Sequence, residues 1–370
     1  MVIRYEKYIL SSQEGNCYHF TANKYRLVDE YAYTLHTHTT APKPVTLALA
    51  HAVGLHKELW EPFLEDLKLL QVKSACFREN GVVTEAWSVD CPSHGDAAIL
   101  NEKRLIFDDT FHSTTEYVRS MMILLESSIF ASARSRRLIL VGHSGGACVA
   151  ALVMRECVRR WGISGAPFHS LVIIECPVVA TPLSSLQERS DHWMALGGML
   201  SKFANKRRDK WTSVKDAHEW FRRRSPYRDW DSRALRRYLE FGLRPLPTAF
   251  YPNETTGYTL KCHRSFESRP FGGRDETTTA GAVLEELHPF LPVHIIFGQL
   301  SPFRPPDDDI PLLTAQRGKN SFYASVTDIP GANHLLVQEI PEIVARTVLD
   351  TMNIPRHGDP PNVVQLHSAL

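Results

Sequence analysis

Short apolar runs alternate with helical spacings along most of the chain. Val45 to Ala50, Val82 to Val89, Arg137 to Val141, Leu171 to Ile174, Pro292 to Phe297 and Ser321 to Ile329 read as strands, several of them apolar at consecutive positions. Lys57 to Leu70 is apolar at 59, 60, 63, 64, 67, 69 and 70, close to helical spacing. Thr114 to Ile129, Gly146 to Trp161 and Pro341 to Met352 read as further helices. Strands and helices alternating at this pitch predict βαβ units and a parallel sheet whose central strands are covered on both faces. Ahead of them, the β-prone pieces Tyr18-His19-Phe20 and Tyr31 to His36, separated by polar breaks, predict an antiparallel lead-in.

The pattern changes from about Pro182 to Leu287. That stretch holds Trp193, Trp211, Trp220 and Trp230 and shows no buried-strand signature. It predicts a helical insertion, or lid, between two core strands. The expected organisation is a core over residues 1–180, the insertion over 181–288, the rest of the core over 289–354 and a loosely packed tail over 355–370. The insertion carries Lys206-Arg207-Arg208 and Arg222-Arg223-Arg224. Asp209, Asp216, Glu219 and Asp229 lie among them, so a solvated helix face is expected rather than a site for an anionic ligand such as a coenzyme A phosphate.

Composition narrows the class. Lys plus Arg (42) nearly equals Asp plus Glu (41), a balance that predicts neither a nucleic-acid nor a membrane-surface partner. No apolar stretch is long enough to span a membrane, and the first residues lack the pattern of a secretory leader, so an intracellular protein is expected. Seven cysteines without a C-x-x-C pair predict reduced, structural thiols, with no metal site. The chain ends Ser368-Ala369-Leu370, which approaches a peroxisomal address but lacks its basic middle residue, leaving cytoplasm or peroxisome open.

The candidate chemistry starts at Gly142-His143-Ser144-Gly145-Gly146, a G-x-S-x-G between a predicted strand and a predicted helix. A serine on such a strained turn is lifted above the sheet, and the glycines leave room for the neighbouring strand and helix. A serine hydroxyl needs a base, and in this setting the base follows in the order serine, acid, histidine. Of 17 histidines, His334 stands where that order requires, after the last predicted strand and before the last helix. The acid should close a strand. After Pro292 to Phe297 comes Gly298-Gln299-Leu300-Ser301, where an aspartate is expected and a serine stands. Two replacements remain: Glu175, closing Leu171 to Ile174 and favoured, or the group Asp307, Asp308 and Asp309. The oxyanion donors are expected to be the backbone N–H groups of Gly145 and Val53. His51, Ala52 and His143 are expected at the substrate, with His51 shaping its loop rather than moving protons. Asp90-Cys91-Pro92-Ser93-His94-Gly95-Asp96 reads as a loop at the same sheet edge, fixed by its proline and glycine.

Together these positions resemble the α/β-hydrolase superfamily over nearly the whole chain. More narrowly, Ala50-His51-Ala52-Val53-Gly54-Leu55-His56-Lys57-Glu58, Ile174-Glu175-Cys176-Pro177 and Phe297-Gly298-Gln299-Leu300-Ser301-Pro302 resemble a fungal subgroup of mycophenolic-acid-type acyl-coenzyme A hydrolases and toxin-biosynthesis hydrolases. The resemblance implies the α/β-hydrolase fold and a triad acid after the strand that follows the nucleophile's helix, which favours Glu175. It also implies a small-molecule acyl ester or thioester as substrate, and no cofactor. The chain departs from the subgroup in having Glu for the usual Asp, and in a longer gap between Ser144 and the acid that an insertion around Gly162 to Phe168 would explain.

Overall fold

A computed structural model describes residues 3–11, 18–28, 44–73, 81–176, 186–272, 275–287, 290–307, 316–317, 320–321 and 323–352. Its centre is an eight-stranded sheet. We number its strands β1 (Tyr5–Ser11), β2 (His19–Arg26), β3 (Pro44–Ala50), β4 (Val82–Val89), β5 (Arg137–His143), β6 (Phe168–Ile174), β7 (Val293–Gly298) and β8 (Ser325–Ile329). Their spatial order is β1-β2-β4-β3-β5-β6-β7-β8. β1 pairs with β2, and β2 with β4, antiparallel; all the other pairings are parallel. The expected lead-in is therefore present as β1 and β2, whereas Tyr31 to His36 lies outside the described residues.

The consecutive apolar positions have a simple cause: side chains alternate between two buried faces. On one face Ala48, Leu138, Leu140, Leu171, Ile173, Val293, Ile295 and Phe297 share a core with the helices Ser113–Glu126, Gly145–Gly165 and Asp275–Leu287. On the other, Leu47, Leu49, Ile139, Val141, Val172, Ile174 and Ile296 pack with the helices Glu61–Lys73 and Pro341–Thr351. Helix spacing matches this: Ala280, Val283, Leu284 and Leu287 bury one stripe, and Val344, Ala345, Val348 and Leu349 another. Each large apolar side chain so buried contributes roughly 1.5–3 kcal/mol.

β6 and β7 are neighbours in the sheet, and the chain between them contains most of the predicted insertion. It forms the helices Leu186–Lys206, Val214–Arg222, Ser232–Gly242 and Arg264–Ser268. It also forms a three-stranded antiparallel sheet of Lys210–Trp211, Tyr258–Leu260 and Leu243–Pro245, absent from the sequence reading. Its last helix, Asp275–Leu287, falls within 181–288 yet packs on the main sheet. The insertion has its own core of Trp211, Phe221, Tyr227, Trp230 and Tyr238, and this core also takes in Ala52, Leu55 and Leu59 from the segment after β3. Its aromatic residues thus rest on the loop expected to carry an oxyanion donor.

Arg208 pairs with Asp216 and Arg228 with Asp229 as expected of a charged surface, but Arg207 and Asp209, expected on that surface too, are buried, Arg207 against Glu267 and Tyr227. Cys91, Cys148, Cys157, Cys176 and Cys262 are buried and outside any disulfide. Among the described residues no helix is long and apolar enough to cross a membrane. Ser368-Ala369-Leu370, Asp308 and Asp309 lie outside the described residues.

Candidate active site

Ser144 follows β5 and precedes the helix Gly145–Gly165 with φ 55° and ψ −120°. Ser144 and Glu175 are the two non-glycine residues with positive φ among the described residues, both at 55°. Left-handed backbone at such residues costs on the order of 1–3 kcal/mol and persists only where its surroundings impose it. At Ser144 the surroundings are the Ser144 N–H, which donates to Ile174 O at 2.9 Å, and the Ser144 carbonyl, which accepts from Ala147 N at 2.8 Å. Close packing under the turn requires glycine. A Cβ on Gly146 would meet Ala50 O at 2.3 Å and His51 O at 2.6 Å, and one on Gly142 would meet Gly146 O at 2.2 Å. Gly146→Ala is expected to cost about 1–3 kcal/mol through overpacking. Thermal unfolding of the purified variant checks this: Tm should fall by several degrees, and an unchanged Tm would contradict the packing described.

The three predicted partners meet. Ser144 Oγ lies 2.9 Å from His334 Nε2, and His334 Nδ1 lies 2.9 Å from Glu175 Oε2. With the hydroxyl donating to Nε2, the imidazole proton sits on Nδ1 and is donated to the carboxylate. Ser144 is 7% exposed and Glu175 fully buried. Glu175 follows β6, where its N–H donates to Ile296 O at 2.9 Å. Its carboxylate also accepts from Gly298 N–H and from the Ser301 hydroxyl. Burial raises the Glu175 carboxyl, and the Ser301 and Gly298 donors oppose that rise. Burial likewise lowers the His334 imidazole.

Asp307 is elsewhere: its side chain is 87% exposed and pairs with Arg304 at 2.6 Å. Arg304 also forks onto Asp328 at the end of β8, and Phe303 lies against the imidazole of His334 with ring centroids 4.1 Å apart. The described part of the segment after β7 therefore packs around the histidine, while Asp307 turns away to Arg304.

Val53 and Gly145 are adjacent, since a Cβ on Gly145 would sit 2.6 Å from Val53 Cγ2 and 3.7 Å from Val53 N. Gly145 is the first residue of the helix that follows Ser144, where backbone N–H groups lack intrahelical acceptors and the helix end is partially positive. The neighbouring amides are engaged: Leu55 N–H donates to Ala52 O at 3.1 Å and Gly54 N–H to His94 Nε2 at 3.0 Å.

His51, Ala52 and His143 were expected at the substrate; they are 3%, 2% and 1% exposed. The two histidines bind the protein's own backbone. His51 Nε2 accepts from Cys91 N–H at 3.1 Å, so its Nδ1–H donates to Ala52 O at 2.8 Å. His143 Nε2–H donates to the carbonyl of His334 at 2.9 Å and so fixes the loop that bears it. Burial pushes His51 down to about 4 and His143 down to about 3, which keeps both neutral.

Three further contributors escaped the sequence reading. Ser301 was set aside as unable to serve as the acid, yet its hydroxyl supports the acid. His94 holds a backbone amide. Lys57 is fully buried, with Nζ 2.7 Å from Asp90 and 2.6 Å from Glu58, tying the segment after β3 to the end of β4. The available signal was the density of charge in His56-Lys57-Glu58, which cannot be buried without partners. Among the described residues no group of His, Cys, Asp and Glu is arranged to hold a metal ion.

A model of the alpha/beta hydrolase family matches residues 47–347. Over 209 residues the chain is 27% identical to the type I acyl-CoA thioesterase mpaH of Penicillium roqueforti (strain FM164) and 26% identical to that of Penicillium brevicompactum. Each match covers 56% of this chain and 42% of the relative, so the chain spans less than half the length of the curated relatives it matches. Its fold is similar to the peroxisomal alpha-beta-hydrolase Lpx1 of Saccharomyces cerevisiae, with a TM-score of 0.64 at 16% identity, covering 98% of this chain and 93% of that one. It is also similar to the thioesterase domain from the curacin biosynthetic pathway, with a TM-score of 0.54 at 15% identity, covering 94% and 99%. The family match runs from β3 to the last helix and so includes both the turn at Ser144 and the loop at His334: the chain belongs to the alpha/beta hydrolase family.

Proposed function

We propose that this chain is a serine hydrolase that cleaves an ester or thioester of a hydrophobic acyl group through an acyl-enzyme. The observation that carries the reading is the unbroken run of hydrogen bonds from Ser144 through His334 to a buried carboxylate. In the first half-reaction Ser144 Oγ attacks the acyl carbonyl carbon while His334 Nε2 takes the hydroxyl proton. The resulting oxyanion is held by the N–H groups of Val53 and Gly145, at the positive end of the helix Gly145–Gly165. Glu175 stabilises the imidazolium, which then protonates the departing alkoxide or thiolate. In the second half-reaction His334 deprotonates a water that attacks the acyl-enzyme carbonyl, and the imidazolium returns the proton to Ser144 Oγ as the acid product leaves. No cofactor enters this scheme. The thioesterases to which the chain is similar support a thioester leaving group, and the insertion resting on the loop after β3 is the lid of this reading.

Turnover of acyl esters and thioesters in ¹⁸O-labelled water tests the reaction class. Hydrolysis puts one solvent oxygen into the acid product, whereas cyclisation, retro-aldol cleavage or transfer to another acceptor does not.

The pH dependence follows from the acid. The competent pair is ionised Glu175 with neutral His334, reached by deprotonating a carboxyl that burial raises. Activity is therefore present above this titration and lost as pH falls through it. Ser301→Ala removes a donor to the carboxylate and favours its protonated form. The acidic limb of kcat/KM is expected to move up by about one to two pH units, the equivalent of one hydrogen bond to a charged group. Ser301→Thr, which keeps the hydroxyl, should leave the limb near its wild-type position; an unmoved limb in Ser301→Ala would remove Ser301 from this role.

A further inference from the structure

The loop Asp90-Cys91-Pro92-Ser93-His94-Gly95-Asp96 contributes no reacting group, yet it places a buried imidazole against the turn that bears Val53. We propose that His94 is a positioning residue for the oxyanion: by accepting the Gly54 amide proton it anchors the turn Ala52–Leu55, which bears the Val53 N–H, to the loop after β4. The inference rests on the reading of Ser144 as nucleophile.

The turn is closed by Leu55 N–H donating to Ala52 O at 3.1 Å, and its third residue, Gly54, has φ +77°. Positive φ at that position is the mark of a type II turn, which favours glycine there. Type I and type II turns differ mainly by a half-rotation of the peptide between the two central residues, here Val53 and Gly54; the Val53 N–H sits on the preceding peptide, so what bears on it is the anchoring of the turn as a whole. What opposes the rotation is the partner of that peptide. His94 Nε2 lies 3.0 Å from Gly54 N. In the flipped turn the Val53 carbonyl oxygen would face this lone pair, acceptor against acceptor.

The imidazole is held in the accepting tautomer. His94 is 2% exposed. The Gly54 N–H can donate only to an unprotonated Nε2, so Nδ1 carries the proton and donates it to Ser93 Oγ at 2.9 Å. Burial, together with the nearby His51, disfavours the imidazolium, which would cancel the acceptor. The backbone of the same loop is anchored in turn, since Cys91 N–H donates to His51 Nε2 at 3.1 Å. On its other side Gly54 faces the insertion: a Cβ there would come within 2.8 Å of Glu267 Cδ, and the Glu267 carboxylate is clamped by Arg207. The turn is thus gripped between a core histidine and a buried ion pair of the insertion. Val53, next to the locked peptide, also abuts Gly145, the residue that supplies the second donor.

The test compares His94→Phe, which keeps an aromatic ring without an acceptor, with His94→Gln, whose amide oxygen can accept from Gly54. Two readouts are taken on the full chain: amide hydrogen exchange of the peptide containing Gly54, and turnover of an activated acyl ester together with the rate of labelling by a fluorophosphonate. His94→Phe is expected to speed exchange at Gly54, and to lower kcat and the labelling rate about 10-fold or more, with KM within about twofold. The loss of an entire oxyanion donor, on the order of 10² to 10³, is the ceiling. His94→Gln is expected to restore most of both. Unchanged exchange at Gly54 in His94→Phe overturns the inference, as does an equal loss in the two variants or a fall in kcat matched by a rise in KM. A wild type that neither turns over nor labels is a different result: it overturns the reading of Ser144 and this role of His94 with it, whatever the exchange shows.

Discussion

Ser144→Ala is expected to lower kcat by on the order of 10⁴ to 10⁶ with the fold intact, and His334→Ala to do the same. The two residues act as one unit: the hydroxyl is a poor nucleophile without the base, and the base has nothing to activate without the hydroxyl. The double variant should therefore lose little more than either single one, a non-additivity that separates catalysis from summed structural damage. Alanine keeps the Cβ and the backbone bonds of Ser144 to Ile174 and Ala147, so the strained turn has the same supports in the variant. The checks are kcat on an activated acyl ester and the thermal unfolding curve of each variant. Full turnover in either single variant would contradict the mechanism.

Glu175→Gln should cost about 10⁴ in kcat, and the reason lies in the proton inventory. Glutamine fills the same buried volume and can still accept from Gly298. Its amide nitrogen, however, is a donor, and with the amide oxygen at Gly298 it takes the place of Oε2, the atom that accepts from both the Ser301 hydroxyl and His334 Nδ1. Facing His334, it forces the imidazole proton onto Nε2, where the base can no longer accept from Ser144. In the flipped amide the nitrogen opposes the Gly298 N–H, donor against donor, and a neutral oxygen stands where an imidazolium needs a negative charge. Asp307→Asn, by contrast, alters an exposed side chain paired with Arg304 and should leave turnover near wild type. Kinetics of the two variants side by side decide the assignment. A mild Glu175→Gln with a crippled Asp307→Asn would transfer the acid role to Asp307.

How far the sequence went differs from element to element. The parallel sheet was legible because β3 to β7 are covered on both faces, which writes consecutive apolar residues into the chain. The meeting of Ser144 and His334 was legible because the roles proposed for them depend on position relative to elements already readable, a strand-turn-helix for one and the last strand-to-helix loop for the other. The acid stayed open between Glu175 and the aspartates, since the contacts that distinguish them, from Gly298 and Ser301, are across the sheet and leave no spacing. The small sheet of Lys210–Trp211, Leu243–Pro245 and Tyr258–Leu260 was invisible because strands of two or three residues are too short to show a period. His51 and His143 looked like groups facing a substrate. In the fold both ring nitrogens of His51 are bonded to the backbone of Cys91 and Ala52, and Nε2 of His143 to the carbonyl of His334, bonds that no side-chain pattern announces. His94 belongs with them: its bond to the Gly54 amide is silent in the sequence.

The central claim is that Ser144 is an activated nucleophile, and intact-mass measurement after incubation with a fluorophosphonate probe tests it most directly. The wild type should gain the mass of one adduct, while Ser144→Ala, folded by the same criteria, should gain none. An unmodified wild type, or an adduct of equal mass and rate on Ser144→Ala, would contradict it.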